Sequence, residues 1–246
     1  MRPNYTGYDH DNEDFAGLFE ESQRYGGVCG AGEGLAELDP TTWLREDLQF
    51  GWPSCVGFGS SKAVECVHYF ATGGEEVQLS EMWAWVKAQV HGGSRPSVDR
   101  GASIYGSIKA LKQVGIPARE FAPYTYGDYY SQFTEQAEKD AAARLVRSSW
   151  RFDSYEAILD FLKGGVGSII TGLPWGRGGW HCTNWCGFTR EGEIIEANSH
   201  RGDTRNVYSP KEVERFLRVR GTVIYGVSDL EVPVLRTFDH RETFLP

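Results

Sequence analysis

The hydrophobic period of this chain changes near residue 166, and no other feature limits the fold as much. Before that point apolar residues recur at helical spacing. Residues 55–71 carry Val56, Ala63, Val64, Val67 and Phe70 and run into a Thr-Gly-Gly stop. Ser80 is placed to cap residues 81–90, which Gly92 and Gly93 end, and Ser103 to cap residues 104–114, with Ile104, Ile108 and Leu111 on one stripe and Gly115 after it. Two more helices are expected over residues 131–146 and 153–165, the second opened by an Asp153/Glu156 capping box. Beyond residue 166 the segments VGSIITG, HCTNWCGF, GEIIEAN and TVIYGV are short, β-branched or aromatic, and separated by glycine or charged turns. They read as strands of an antiparallel sheet. One helix interrupts them, with Ser209 as N-cap, Pro210 at the first position and Glu212 closing a capping box. Helices first and strands afterwards give an α+β chain of two lobes with a cleft between them.

Length and charge narrow what those lobes can serve. A chain of 246 residues with 40% hydrophobic and 24% charged side chains can bury one sizeable core. Its net charge of −9 is scattered along the chain, which argues against a nucleic-acid partner. No apolar run approaches the roughly 20 residues that span a bilayer, and the first residues lack the apolar segment of a signal peptide, so neither a membrane nor export is expected. Residues 1–37 are acidic, aromatic and glycine-rich without sustained period. They are expected to form an extended arm, too short and polar to add much core, that docks on an assembly partner. The compact domain is expected over 38–246: a helical lobe at about 38–120, a β lobe at about 121–232 and a tail at 233–246.

Five cysteines at irregular spacing, Cys29, Cys55, Cys66, Cys182 and Cys186, suit reduced thiols in a cytoplasmic setting. No metal and no cofactor is expected. Cys182 and Cys186 on one strand would stand roughly 13 Å apart at about 3.3 Å per residue, too far for one zinc ion. The glycine-rich run at residues 27–34 has neither the preceding strand nor the lysine of a nucleotide loop, and Arg-Gly-Asp at residues 201–203 reads as a turn.

Cys55 stands apart because it begins a helix, where unpaired N–H groups and the helix dipole favour a thiolate. His181 opens one strand and Asn198 closes the next. If those strands pair as a hairpin, the two side chains come within hydrogen-bond reach. Cysteine, histidine and asparagine in that order are the parts of a thiolate nucleophile, its imidazolium partner and an amide that orients the ring.

These residues carry a family resemblance. Gln49, Gly51, Ser54, Cys55 and Phe58 resemble the Q-G-x-x-x-S-C-x-x-F segment of papain-like cysteine peptidases, followed in the family's order by RGAS and ALKQVG, GGWHCTNWCGF and IIEANS. The resemblance spans roughly residues 38–200, more loosely to about 228. It implies a two-lobe fold with Cys55 on the helical lobe and His181 and Asn198 on the β lobe. It also implies Gln49 as oxyanion donor with the Cys55 backbone N–H, and a clamp for extended peptide at Gly101 and Ala102 with Trp180 beside it. Val56 replaces the family's tryptophan after the nucleophile, and His200 replaces the tryptophan after Asn-Ser. An indole from Trp180 or Trp185 is therefore expected to shield the pair. Trp52 stands where secreted relatives carry a disulfide cysteine, and the arm is shorter than the family's inhibitory prosegments.

The expected activity is thiol-dependent hydrolysis of peptide or isopeptide bonds in a peptide or protein substrate, by a bacterial or phage-like member without a long propeptide. Two other readings stay open. One is a cell-wall peptide amidase. The other is a structural or interaction component of a larger assembly such as a phage particle, virion-associated and with weak, latent or lost activity.

Overall fold

The computed structural model describes residues 8, 13–25, 36–49, 51–125, 133–175, 179–200 and 203–231. Cys29, the glycine run at 27–34, the first two residues of Arg-Gly-Asp and the tail at 233–246 lie outside the described residues. Helices α1 Phe15–Glu21, α2 Cys55–Thr72, α3 Glu81–His91, α4 Ile104–Gln113 and α5 Glu135–Ala142 come before most of the sheet. Helices α6 Tyr155–Lys163 and α7 Pro210–Arg218 lie among strands β1 Gln23–Arg24, β2 Leu145–Arg151, β3 Gly167–Trp175, β4 Gly179–Phe188, β5 Ile194–His200, β6 Asp203–Tyr208 and β7 Val223–Glu231. The strands form one sheet in the order β1-β2-β7-β3-β4-β5-β6, antiparallel at every contact except the short parallel pair β1–β2. The fold is α+β, helical lobe before β lobe, as the change of period predicts.

The helix signals hold where a cap marks them. Ser80 Oγ accepts from Trp83 N at 3.0 Å and Ser103 Oγ from Gly106 N at 3.1 Å, each satisfying an N–H that the first turn leaves unpaired. Ser209 and Glu212 form the capping box of α7. Gly73 ends α2 in the left-handed conformation at φ 73°, which glycine adopts without steric cost.

Three segments differ from the reading above. The helix expected over 131–146 stops at Ala142, and Leu145–Arg151 is strand β2 paired with β7; no glycine or proline marks the stop, so the alanine-rich run reads straight through it. Helix α6 is capped by Ser154, whose Oγ accepts from Ala157 N at 3.2 Å, while Asp153 pairs with Arg24 at 2.6 Å instead of boxing with Glu156. Strand β6 is too polar to show a period in the sequence.

The arm also departs from expectation. Asp14 caps α1 through its bond from Gly17 N (2.8 Å), Leu18 is fully buried, β1 extends the sheet, and the Tyr25 ring packs against Trp150, Phe152 and Phe161. Residues 13–25 are part of the packed fold.

Helix α2 is buried from Cys55 to His68. Two glycines let it lie so deep. A Cβ on Gly57 would stand 2.3 Å from the Glu81 carbonyl oxygen, and one on Gly59 would stand 2.8 Å from Cys182 Sγ and 3.0 Å from the Thr183 oxygen. Glycine at 59 thus seats the helix that starts at Cys55 directly on the strand that carries His181. Among the described residues no helix is long and apolar enough to cross a membrane.

Candidate active site

Cys55 is the first residue of α2, and Ser54 occupies the N-cap position without capping it: its hydroxyl is bonded to the Tyr124 hydroxyl at 2.7 Å. No side chain therefore competes for the first-turn N–H groups beside the thiol. Cys55 Sγ accepts from Cys182 N at 3.2 Å, which sets the sulfur against the residue that follows His181.

His181 is 1% exposed, and its Nε2 lies 2.8 Å from Asn198 Oδ1. The protonation of the ring follows from the neighbours. Asn198 Oδ1 also accepts from the His200 backbone N–H at 3.2 Å, so this atom is the carbonyl oxygen and Nε2 must donate to it. That assigns the Nε2–H form and leaves Nδ1 as the other ring nitrogen for proton transfer. The hairpin that brings the two together is the antiparallel β4–β5 pair, with Asn184 opposite Ala197.

The indole over the ring is Trp175, not Trp180 or Trp185. Its centroid lies 4.6 Å from that of His181 and 5.6 Å from that of His200. In the β3–β4 register Leu173 faces His181 and Trp175 faces Gly179, which makes Trp175 the diagonal neighbour of the histidine. Trp185 instead packs near Tyr208 and Phe216. Strand alternation keeps it on the histidine's face, but at four residues along β4, roughly 13 Å at about 3.3 Å per residue, it stands too far away to cover the ring.

Gln49 is fixed by Ser199. Gln49 N donates to the Ser199 carbonyl at 3.1 Å and Ser199 Oγ donates to Gln49 Oε1 at 3.1 Å, which leaves the amide Nε2 as the donor end of the side chain. Ser199 follows Asn198, so one stretch of β5 holds both the ring-orienting amide and the glutamine.

The residues read as the substrate clamp contact the chain's own arm. Tyr8 forms a parallel bridge with Ala102, which Gly101 precedes, and its ring meets that of Trp180 edge-on at 6.3 Å. A Cβ on Gly172 would reach the Tyr8 ring at 2.7 Å. Glu13 accepts from Ile104 N at 2.8 Å and Tyr105 N at 2.7 Å in the first turn of α4. Burial raises the Glu13 carboxyl to about 7 despite those two bonds. Burial, followed by Glu13, drives the Tyr8 phenol far above its ordinary value. The other described thiols are inert by the same physics: burial pushes Cys66 up to about 12 and raises Cys182 and Cys186 well above the ordinary thiol value. Cys55, Cys66, Cys182 and Cys186 form no disulfide. Among the described residues no group of three or more His, Cys, Asp or Glu side chains is placed to hold a metal ion.

Sequence reasoning missed the Cys182 N–H, Trp175, Ser199, Tyr8 and Glu13. A backbone donor leaves no side-chain signal. Trp175 is legible only once the β3–β4 register is known.

Solved structures carry the comparison. Xylellain, a cysteine protease from Xylella fastidiosa, superposes with a TM-score of 0.73 over 95% of this chain and 98% of its own, at 16% identity. The fold is papain-like. Digestive procathepsin L 3 of Tenebrio molitor larval midgut aligns at a TM-score of 0.64 and 14% identity over 85% of this chain and 74% of its own. The cysteine protease CMS1MS2 of Carica candamarcensis, solved in complex with E-64, aligns at 0.55 and 15% over 78% and 97%. No protein-family model and no curated protein sequence matches the chain.

Proposed function

We propose that this chain is a thiol-dependent hydrolase of peptide or isopeptide bonds, held latent by its own N-terminal segment. The observation that carries the reading is the His181–Asn198 hydrogen bond on the strand whose next residue donates to Cys55 Sγ. In the reaction the Cys55 thiolate attacks the carbonyl carbon, and the oxyanion takes hydrogen bonds from Gln49 Nε2 and the Cys55 backbone N–H. His181 passes its proton to the leaving amine, and Asn198 keeps the ring in the orientation that transfer needs. Water then hydrolyses the thioester, with His181 as base, and returns the free thiol. Latency rests on Tyr8, which occupies Ala102 and Trp180 where an extended peptide would lie.

The test is mass spectrometry after a peptidyl epoxide probe, in a Cys29→Ser background. One adduct at Cys55 is expected, absent in Cys55→Ala, slow in the intact chain and faster after removal of residues 1–12 or in Tyr8→Ala. Equal labelling of several thiols, or no labelling of Cys55 after trimming, would overturn the reading and leave a non-catalytic assembly component.

A further inference from the structure

The ring of Tyr8 fills a place built for a side chain of its shape. Its backbone bridges Ala102, its ring meets that of Trp180 edge-on at 6.3 Å, and the far end of the ring lies over Gly172, where a Cβ would stand 2.7 Å from Cε1 and 3.0 Å from Cζ. Any side chain at 172 would take the space that the ring occupies. The same Cβ would stand 2.9 Å from Ile104 Cδ1, so the carbon that carries the hydroxyl lies between β3 and the first residue of α4. Ile104 leads on to Glu13: its side chain walls the ring, and its N–H donates to the Glu13 carboxyl at 2.8 Å. Glu13 acts on the Tyr8 phenol by charge and by side-chain hydrogen bonding, which puts the carboxyl at the hydroxyl end of the ring. The bonds from Ile104 and Tyr105 to Glu13 do not involve Tyr8, and Asp14 caps α1 while Leu18 is buried. The carboxyl therefore stays in place when residue 8 leaves.

We infer that Gly172 and Glu13 are specificity-determining residues: the place held by Tyr8 receives a tyrosine side chain of the substrate, its ring over Gly172 and its hydroxyl on the Glu13 carboxyl. This rests on the hydrolase reading above and names the side chain that the hydrolase selects. An aromatic ring suits walls made by Ala102, Ile104 and Trp180, and a buried phenol needs the acceptor that Glu13 supplies. Phenylalanine would cover the carboxyl without giving it a donor. Lysine or arginine would carry a cation among apolar walls, toward a carboxyl already engaged by two N–H groups at the positive end of α4. A site that hydrogen-bonds a substrate hydroxyl rejects the analogue without it more strongly than an apolar pocket can. Glu13 belongs to the arm, so the segment that covers the cleft also supplies part of the pocket it uncovers.

NMR titration of the full chain carrying Tyr8→Ala and Cys55→Ala, with acetylated and amidated Ala-Ala-X-Ala-Ala peptides, reads binding without turnover. The tyrosine peptide should bind about tenfold or more tighter than the phenylalanine peptide, the effect of one hydrogen bond to a buried charged acceptor, and both should bind tighter than the alanine and lysine peptides. Adding Glu13→Ala should bring the tyrosine and phenylalanine affinities together. Adding Gly172→Val instead should remove the advantage of both rings over alanine. Equal binding of tyrosine and phenylalanine, tightest binding of lysine, or no saturable binding of any peptide would overturn the pocket, whether or not the two added variants fold. The thiol takes no part in this measurement. An unreactive Cys55 in the probe experiment would thus end the hydrolase reading and leave the binding result standing, whereas a reactive Cys55 with no preference for tyrosine would end only the pocket.

Discussion

At the scale of single residues, one asparagine oxygen fixes the chemistry of the candidate site. Because Asn198 Oδ1 receives the His200 backbone N–H, the proton between it and His181 must sit on Nε2. Gln49 is held with equal definition by Ser199. Gln49→Ala should therefore cut turnover by about 10² to 10³, the effect of losing one oxyanion donor, while Cys55 alkylation stays near wild type. Ser199→Ala, which frees the glutamine without removing it, should cost less, and a comparison of kcat for the two variants checks the order. Unchanged turnover in Gln49→Ala would remove that residue from the site.

Between elements, the contact of α2 with β4 sets the distance from nucleophile to histidine. Gly59→Ala forces a methyl group to 2.8 Å from Cys182 Sγ and 3.0 Å from the Thr183 oxygen, so it should destabilise the fold by about 1–3 kcal/mol, the usual range for overpacking. Adding Cys182→Ala should restore part of that loss, because the nearer atom is the sulfur; urea unfolding of the single and double variants checks both.

The junction of the arm with α4 adds a pH dependence. Glu13 titrates near 7 in the fold against an ordinary 4.5, with the Tyr8 phenol and Asp14 as its titratable neighbours. Its folded form binds the proton more tightly, so its contribution is fully present below about pH 4.5 and is lost as pH rises through about 7. A shift of that size is worth about 3 kcal/mol. The melting temperature of wild type should fall relative to Glu13→Gln between pH 5 and 8. Burial also raises Glu65 and Glu81, with the same sign, so the difference between the two proteins carries the result. Parallel profiles would show that Glu13 does not titrate there.

For the whole molecule, the proposed latency and the packing of the arm can be separated by two deletions. Removing residues 1–12 takes away Tyr8 and should expose the thiol. Removing residues 1–25 also strips α1, β1 and the buried Leu18 from the sheet and from α4. Burying a side chain such as Leu18 or Tyr8 is worth about 1.5–3 kcal/mol. In a chain of this size each kcal/mol corresponds to about 2–4 °C of melting temperature. The longer deletion should therefore melt roughly 10 °C or more below the intact protein by calorimetry, whereas the shorter one should lose less and react faster at Cys55. Equal melting of the long deletion and the intact chain would return the arm to a surface element.

The sequence alone determined the features that depend on neighbours along the chain. The change from helical to strand period gave the two lobes. Ser80, Ser103 and the Ser209–Glu212 box gave helix starts, since a cap bonds within its own turn. The order of Gln49, Cys55, His181 and Asn198 gave the candidate site, because its residue types carry their chemistry with them. Tertiary structure decided what depends on register and close approach. It put Trp175 over the histidine, since a diagonal across two strands is invisible until they pair. It ended the helix expected over 131–146 at Ala142 and put residues 145–151 in strand β2, because β7 offered a partner that local propensity cannot sense. It also laid Tyr8 along Ala102, a contact across 94 residues that no local pattern encodes.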